Sequence, residues 1–168
     1  LCLGYLRRGL PVVIVRYFNV YGPHGDSSDY GGVAARFINQ SITGNPLTVH
    51  GDGSQTRCFT YVEDIVEGTI EAGVRPEAEG KIFNLGSRRE TSILELAQLI
   101  RNISGGKGDI EFQPHEEFYG PYYEDIPRRI PDLSTAENIL DYYLKVSLEN
   151  GLSITIDWQR QQMLNNVE

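Results

Sequence analysis

Three short segments of this 168-residue sequence carry polar side chains in settings suited to binding an anion. The first follows an apolar run, Pro11 to Phe18, whose β-branched residues are typical of a parallel strand covered on both faces. Asn19 comes directly after this run, and ligands of open α/β sheets bind where strands end. Its amide could meet a phosphate or a sugar hydroxyl. Alternatively, Asn19 only starts the turn that leads to Gly22 and Pro23.

The second segment places Arg57 after a polar turn, Gly51 to Ser54, and before a half-apolar stretch that starts at Cys58. Arginine can bind phosphate through two parallel N–H bonds, which lysine cannot match. A solvated or ion-paired surface arginine is the alternative interpretation. The turn itself has neither the GK[ST] ending of a phosphate-binding loop nor the glycine spacing of a dinucleotide-binding turn.

The third segment contains Arg128 and Arg129, shortly before Asp132 and Ser134, either of which could cap a short helix. An arginine beside a helix start is a natural anion site. The alternative is a charged surface loop in which Asp132 only caps the helix.

Other kinds of chemistry are not indicated. The three histidines and two cysteines lack metal-ligand spacing, so we predict no metal site: His24, His50, His115, Cys2 and Cys58. Nothing resembles a Ser-His-Asp or Cys-His arrangement. The tyrosines between positions 119 and 123 could stack on a base, but aromatic residues more often serve in packing.

These segments must be positioned by an alternation of strands and helices, which predicts an α/β fold. Besides 11–18, we expect strands at 47–50, 81–85 and 110–113, and an extended piece at 58–62. We expect helices to end at Gly9, to span 32–43, and to start at positions 62, 92 and 147. A further short helix is expected to follow a cap at Asp132 or Ser134 and to run through Leu140. Apolar spacing predicts that the helix starting at 62 buries one face: Val62, Ile65, Val66, Thr69 and Ile70.

The helix that starts at position 92 has the clearest signal. Ser92 and Glu95 have the spacing of a capping box. An apolar stripe follows, formed by Ile93, Leu96, Ala97 and Ile100.

Composition limits the class of partner. The formal net charge is −8, which argues against a general nucleic-acid binder because such proteins carry clustered excess Lys and Arg. No apolar stretch reaches the roughly 20 residues of a membrane span, so we predict no membrane partner. The two cysteines form no disulfide framework and favour a reducing, cytoplasmic compartment.

In sequence order, four motifs resemble the extended short-chain dehydrogenase/reductase family of NAD-dependent nucleotide-sugar epimerases and dehydratases. They are RYFNVYGP (16–23), GDGSQTRCFTYVEDIVEG (51–68), FNLGS (83–87) and RRIPDLSTA (128–136). The resemblance implies a Rossmann domain that binds NAD and a smaller lobe that binds a nucleotide diphosphate sugar, with a UDP-sugar expected. Residues 1–30 and 80–105 would complete the Rossmann sheet, whereas 31–79 and 106–168 would form mainly the α/β substrate lobe.

The resemblance also assigns roles to residues. Tyr17 matches a position near the nicotinamide of NAD. Arg57 matches the arginine that binds the diphosphate, and Arg129 one near the ribose or the phosphates. Among the other substrate-binding positions, Asn19 follows the first strand. Val33 and Phe37 match positions on the helix that flanks the nucleotide, and Thr48 and His50 match positions on the short strand that meets the base.

Two features of the family are missing from the sequence: the glycine-rich cofactor turn and the catalytic Tyr-x-x-x-Lys pair. In the family that pair lies on the helix before the RYFN strand, and residues 1–8 would be the end of that helix. We therefore expect the C-terminal portion of a longer, homodimeric enzyme. Alone it should be inactive, because the missing tyrosine is the base that helps oxidise the sugar to a keto intermediate.

The motifs are shared by enzymes that catalyse epimerisation, dehydration and decarboxylation. A UDP-sugar 4-epimerase-like enzyme is the first hypothesis, and a UDP-glucuronate decarboxylase is its rival within the family. The rivals from other classes are a non-catalytic module that binds a nucleotide and an interaction domain whose arginines are only surface charges.

Overall fold

The computed structural model describes residues 2–26, 28, 32–106, 108–114, 116, 120 and 126–165. The described strands are β1 Ile14–Tyr17, β2 Val20–Tyr21, β3 Leu47–His50, β4 Thr56–Arg57, β5 Thr60–Tyr61, β6 Ile82–Leu85, β7 Thr91–Ser92 and β8 Ile110–Gln113. The described helices are α1 Cys2–Leu6, α2 Val33–Thr43, α3 Val62–Val74, α4 Ile93–Ser104, α5 Ser134–Leu140 and α6 Leu148–Asn165, with a 3₁₀ turn at Pro76–Ala78.

The described strands form pairs, and most of the pairs are parallel. β1 pairs with β6, β2 with β5 and β3 with β8 in parallel, whereas β4 and β7 are antiparallel. Each parallel pair is joined through at least one helix, as a parallel connection requires. The predicted α/β fold class is confirmed.

The first core lies between α2, α4, α6 and the β3–β8 pair. Ser92 and Glu95 form the predicted capping box, and the predicted stripe of α4 is buried. This core is therefore built as the sequence pattern indicates. Its fully buried members include Phe37, Ile38, Leu47, Val49, Leu96, Ile100 and Leu152.

The second core lies between α3, α5 and the β1–β6 pair. Phe83 and Leu85 of β6 are fully buried against Leu140 of α5. The first strand is only partly covered in this chain, although its apolar run is typical of a strand covered on both faces. Ile14 is half-buried and Tyr17 is exposed, and among the described residues only β6 pairs with β1.

The predicted buried face of α3 also needs correction. Ile65 is buried as expected, but Val66 and Ile70 are 49% and 55% exposed. The residues that face inward are Asp64, Ile65, Gly68 and Ala72. Gly68 faces inward because the ring of Tyr142 and the side chain of Leu85 leave no room for a larger residue.

The two cores do not coincide with the two lobes expected from the sequence. α3 was expected in the substrate lobe but packs with β1 and β6. α4 was expected with the Rossmann strands but packs with α2 and α6. The domain boundaries of a longer protein stay a prediction. The tyrosines between positions 119 and 123 lie outside the described residues.

Candidate functional site

The first and second motifs meet at Asn19. This residue has a positive φ of 43°, and its Nδ2 donates a hydrogen bond to the carbonyl of Cys58 at 3.2 Å. The backbone N–H of Thr60 donates to the carbonyl of Asn19 at 3.1 Å, and β2 and β5 pair directly after this point. Asn19 therefore joins the end of β1 to the strand segment that carries Arg57.

The second motif also contacts the segment at the start of RRIPDLSTA, the fourth motif. Thr56 N–H donates to the Pro127 carbonyl at 2.9 Å, and an isolated bridge pairs Thr56 with Arg128. Arg57 Nη1 donates to the carbonyls of Thr56 and Ile126 at 2.8 and 2.7 Å. These contacts fix the orientation of the half-buried Arg57 guanidinium group.

The FNLGS motif completes the cluster. Asn84 Nδ2 donates to the Asp132 carbonyl at 2.9 Å. A Cβ at Gly86 would lie 2.8 Å from Cβ of Phe18 and 3.3 Å from Cγ of Pro131, so only glycine fits between these segments. All four motifs, which are distant in sequence, thus contact one another near the carboxyl ends of β1 and β6.

A cavity of about 140 Å³ opens beside Asn19, at the N-terminus of α2. Gly32 is the N-cap residue, and no side-chain cap hydrogen bond is made at this end of the 11-residue helix. The first N–H groups of a helix favour an anion. The acidic residue of the lining, Asp26, accepts hydrogen bonds from Ser28, and these lower the pKa of its carboxyl group.

Val33 lines this cavity at the start of α2, the helix that also contacts β3. Further along the helix, Gln40 Nε2 donates to Thr48 Oγ1 at 3.2 Å, and Thr48 N–H donates to Gln40 Oε1 at 3.1 Å. Thr48 is half-buried on β3, so the two predicted residues lie on elements that the Gln40 side chain holds together.

Arg36 is a candidate that the sequence reasoning missed. Its Nη2 donates to the Thr48 carbonyl at 3.4 Å, and its Nε is buried without a hydrogen-bond partner among the described residues. The available signal was its position one helical turn after Val33. Sequence alone could not show that this position faces β3.

Three predicted site residues lie elsewhere. Phe37 has no exposed surface in this structure and packs in the first core. His50 is 5% exposed, and its carbonyl accepts a hydrogen bond from Gln55. Tyr17 is 52% exposed and its hydroxyl contacts Thr69 Oγ1 of α3 at 3.1 Å, away from the α2 cavity.

Two positively charged residues of the fourth motif differ in their ion pairing. Arg128 forms an ion pair with Glu90, whereas Arg129 is exposed. Nearby, burial raises the pKa of the Cys58 thiol, so this side chain stays neutral and packs as an apolar group. The cluster therefore offers amide and guanidinium donors to an anion and has no evident nucleophile.

Two kinds of site are not seen among the described residues. No group of three or more His, Cys, Asp or Glu side chains is arranged to hold a metal ion. No helix there combines the length and the apolar character needed to cross a bilayer.

The structure is that of an α/β protein in which four motifs, rich in amide and guanidinium groups, meet near the carboxyl ends of the parallel strands β1 and β6. The model of the NAD dependent epimerase/dehydratase family matches residues 1–86, which is half of the chain. The chain belongs to this family, as the four motifs predicted.

Its relatives give this result detail. The chain is 47% identical to UDP-N-acetyl-alpha-D-glucosaminuronate decarboxylase of Bacillus cytotoxicus over 96% of its own length and 50% of the relative's. It is 38% identical to UDP-glucuronic acid decarboxylase 1 of Arabidopsis thaliana, over its whole length and 37% of the relative's. The chain thus spans half or less of these curated relatives.

Among solved structures, UDP-glucuronic acid 4-epimerase from Bacillus cereus, in complex with UDP-glucuronic acid and NAD, superposes with a TM-score of 0.84. It is 32% identical, and the match covers 96% of this chain and 49% of that structure.

Proposed function

We propose that this chain is the nucleotide-sugar-binding part of an NAD-dependent enzyme that decarboxylates a UDP-linked uronic acid. The mutual contact of the four motifs supports the binding role, because it brings Asn19, Arg57 and the segment with Arg129 to one region. The decarboxylase relatives support the choice of reaction.

In this proposal the diphosphate is held by positive charge and backbone dipoles. Arg57 binds it through its guanidinium group, and Arg129 contributes a second positive charge near the ribose or the phosphates. The N-terminus of α2 and the amide of Asn19 bind the adjoining phosphate or sugar hydroxyls. Val33 and Thr48 lie at the edge of this region, beside the expected position of the base.

The chain by itself should not catalyse the reaction. It contains no Tyr four residues before a Lys, so the base that assists sugar oxidation must come from sequence outside it. NAD held by the longer enzyme would supply reversible hydride transfer, and carbon dioxide would leave from the oxidised sugar before the hydride is returned. Tyr17, half exposed at the end of β1, suits a place beside the nicotinamide, but the chain lacks the glycine-rich turn that would hold NAD.

A 4-epimerase is the second candidate, and the similarity to the Bacillus cereus structure favours it. The two reactions differ in their products, because a decarboxylase releases carbon dioxide and an epimerase retains the carboxylate. Nuclear magnetic resonance of the product formed from a UDP-uronic acid by an enzyme that contains this chain distinguishes them. A product with its carboxylate intact contradicts the decarboxylase assignment.

Calorimetric titration of the protein with UDP and with uridine tests the binding role. We expect weak binding of UDP. Arg57→Ala should weaken it about 10- to 100-fold, since a hydrogen bond to a charged group is worth about 1.5–3 kcal/mol. Uridine, which lacks phosphates, should be unaffected by this substitution.

Arg101→Ala is the matched control for the loss of a positive charge. Arg101 lies on α4, where it forms a 3.6 Å ion pair with the exposed Asp109. Its loss should leave UDP affinity unchanged. Equal affinity of wild type and Arg57→Ala would remove Arg57 from the site, and absence of UDP binding by the wild type would refute the binding role.

A further inference from the structure

We infer that Glu90 is a positioning residue, which holds the segment Ile126–Ile130, here called the arginine arm, in place for ligand binding. The inference deepens the proposed function and rests on it, because the arm carries Arg129 and contacts Arg57. None of the four motifs includes Glu90, which lies in the connection between β6 and β7.

The contacts of Glu90 are arranged around both of its carboxylate oxygens. Arg128 Nε donates to Oε2 at 2.9 Å and Arg128 Nη2 donates to Oε1 at 2.8 Å. Thr56 Oγ1 also donates to Oε2, at 3.0 Å. A single carboxylate therefore joins the arm to β4, the strand that carries Arg57.

The backbone contacts of the arm reinforce the same alignment. The Pro127 carbonyl accepts from Thr56 N–H at 2.9 Å, and the Ile126 carbonyl accepts from Arg57 Nη1 at 2.7 Å. Glu90 binds the side chain of Arg128, next along the arm. Because bidentate pairing restricts both translation and rotation, Glu90 adds to these contacts in holding the arm, and with it Arg129, relative to Arg57.

Because the Glu90–Arg128 pair is largely exposed, its effect on ligand positioning can be distinguished from an effect on stability. The side chains of Arg128 and Glu90 are 68% and 31% exposed. Exposed ion pairs contribute little to the stability of a fold. Breaking this pair should therefore alter ligand affinity more clearly than it alters the melting temperature.

Arg88, two residues before Glu90, provides a matched control. Arg88 also makes a bidentate ion pair, with Glu137 of α5, and these side chains are 50% and 40% exposed. This pair belongs to the same connection as Glu90 but is directed to α5, not to the arm. It reproduces the chemistry of the Glu90–Arg128 pair without its proposed effect.

The test compares Glu90→Gln with Glu137→Gln in calorimetric titrations with UDP and uridine, together with melting temperatures. We expect Glu90→Gln to weaken UDP binding about three- to tenfold, in the range of couplings between neighbouring polar groups. Its affinity for uridine should not change. Glu137→Gln should lower the melting temperature to a similar small extent and leave UDP affinity unchanged.

The charge-exchanged variant Glu90→Arg with Arg128→Glu keeps the pair and should recover part of the lost affinity. Unchanged UDP affinity in Glu90→Gln, while Arg57→Ala still weakens binding, would refute the positioning role alone. Higher affinity would also refute it, since Arg128 would then be a ligand-binding group that Glu90 restrains. Failure of the wild type to bind UDP would refute both this role and the proposed function.

Discussion

The first and second cores are built from the same kinds of element but differ in how completely they are covered. In the first core, β3 has three of its four residues buried, and α2, α4 and α6 enclose it. In the second core, β1 has no buried residue, and α3 leaves Val66, Ile70 and Val74 exposed. These three residues, spaced one turn apart, are the α3 stripe.

The difference shows that apolar spacing along a helix identifies a face that can be buried, but not whether another element buries it. The apolar stripe of α4 is buried because α2 and α6 pack on it. The α3 stripe has the same helical spacing, but no described element covers it. An uncovered apolar stripe marks a surface suited to contact with further protein.

The largest expected effect is on the free energy of unfolding, when a buried phenylalanine is truncated in each core. Phe37→Ala should lower the free energy of unfolding by about 5 kcal/mol and Phe83→Ala by about 3 kcal/mol, the two ends of the usual range. Both side chains are fully buried, but the second core is open beside β1 and can relax around the cavity. Urea denaturation measures both values, and an equal or larger cost at Phe83 would refute the comparison.

The next effect tests whether the second core is tightly packed where it is closed. A Cβ at Gly68 would lie 2.8 Å from the Tyr142 ring, so Gly68→Ala should destabilise by about 1 kcal/mol after its helix-propensity gain. Gly73, on the same helix, has no atom within 4 Å of such a Cβ. Gly73→Ala should therefore stabilise by about 0.5–1 kcal/mol. Thermal unfolding of the two variants should shift in opposite directions, and shifts of one sign would show that α3 is packed differently.

The smallest effect on stability concerns the α3 stripe. Val66→Gln with Ile70→Gln should change the free energy of unfolding by less than about 0.5 kcal/mol per site, since both side chains are exposed. We expect the wild-type chain to self-associate and the double variant to do so less, as sedimentation equilibrium would show. Ile154→Gln on α6, where Ile154 is 47% exposed, is the control and should leave association unchanged. A monodisperse wild-type monomer would contradict this role of the stripe.

Local signals predicted the elements well. Ser92 and Glu95 formed the expected capping box, and β3 and β8 have the predicted bounds. Capping chemistry and apolar periodicity act within a few residues, so they can be read directly from the chain.

The site was predicted in part. Asn19 and Arg57 proved to be connected through Cys58, whereas Phe37 lay on the expected helix but faced the core. Arg36 and Glu90 were missed because their partners, Thr48 and Arg128, are distant in sequence. A polar residue in a helix or loop acquires such a role only from what the fold places opposite it.

The sequence by itself determined the family, the α/β class and the segments that carry the proposed site residues, since these depend on residue types and spacing along the chain. Only the tertiary structure decided which side chains reach that site. Burial and ion pairing depend on elements brought together by packing, as Gly68 shows against Tyr142 and Glu90 against Arg128.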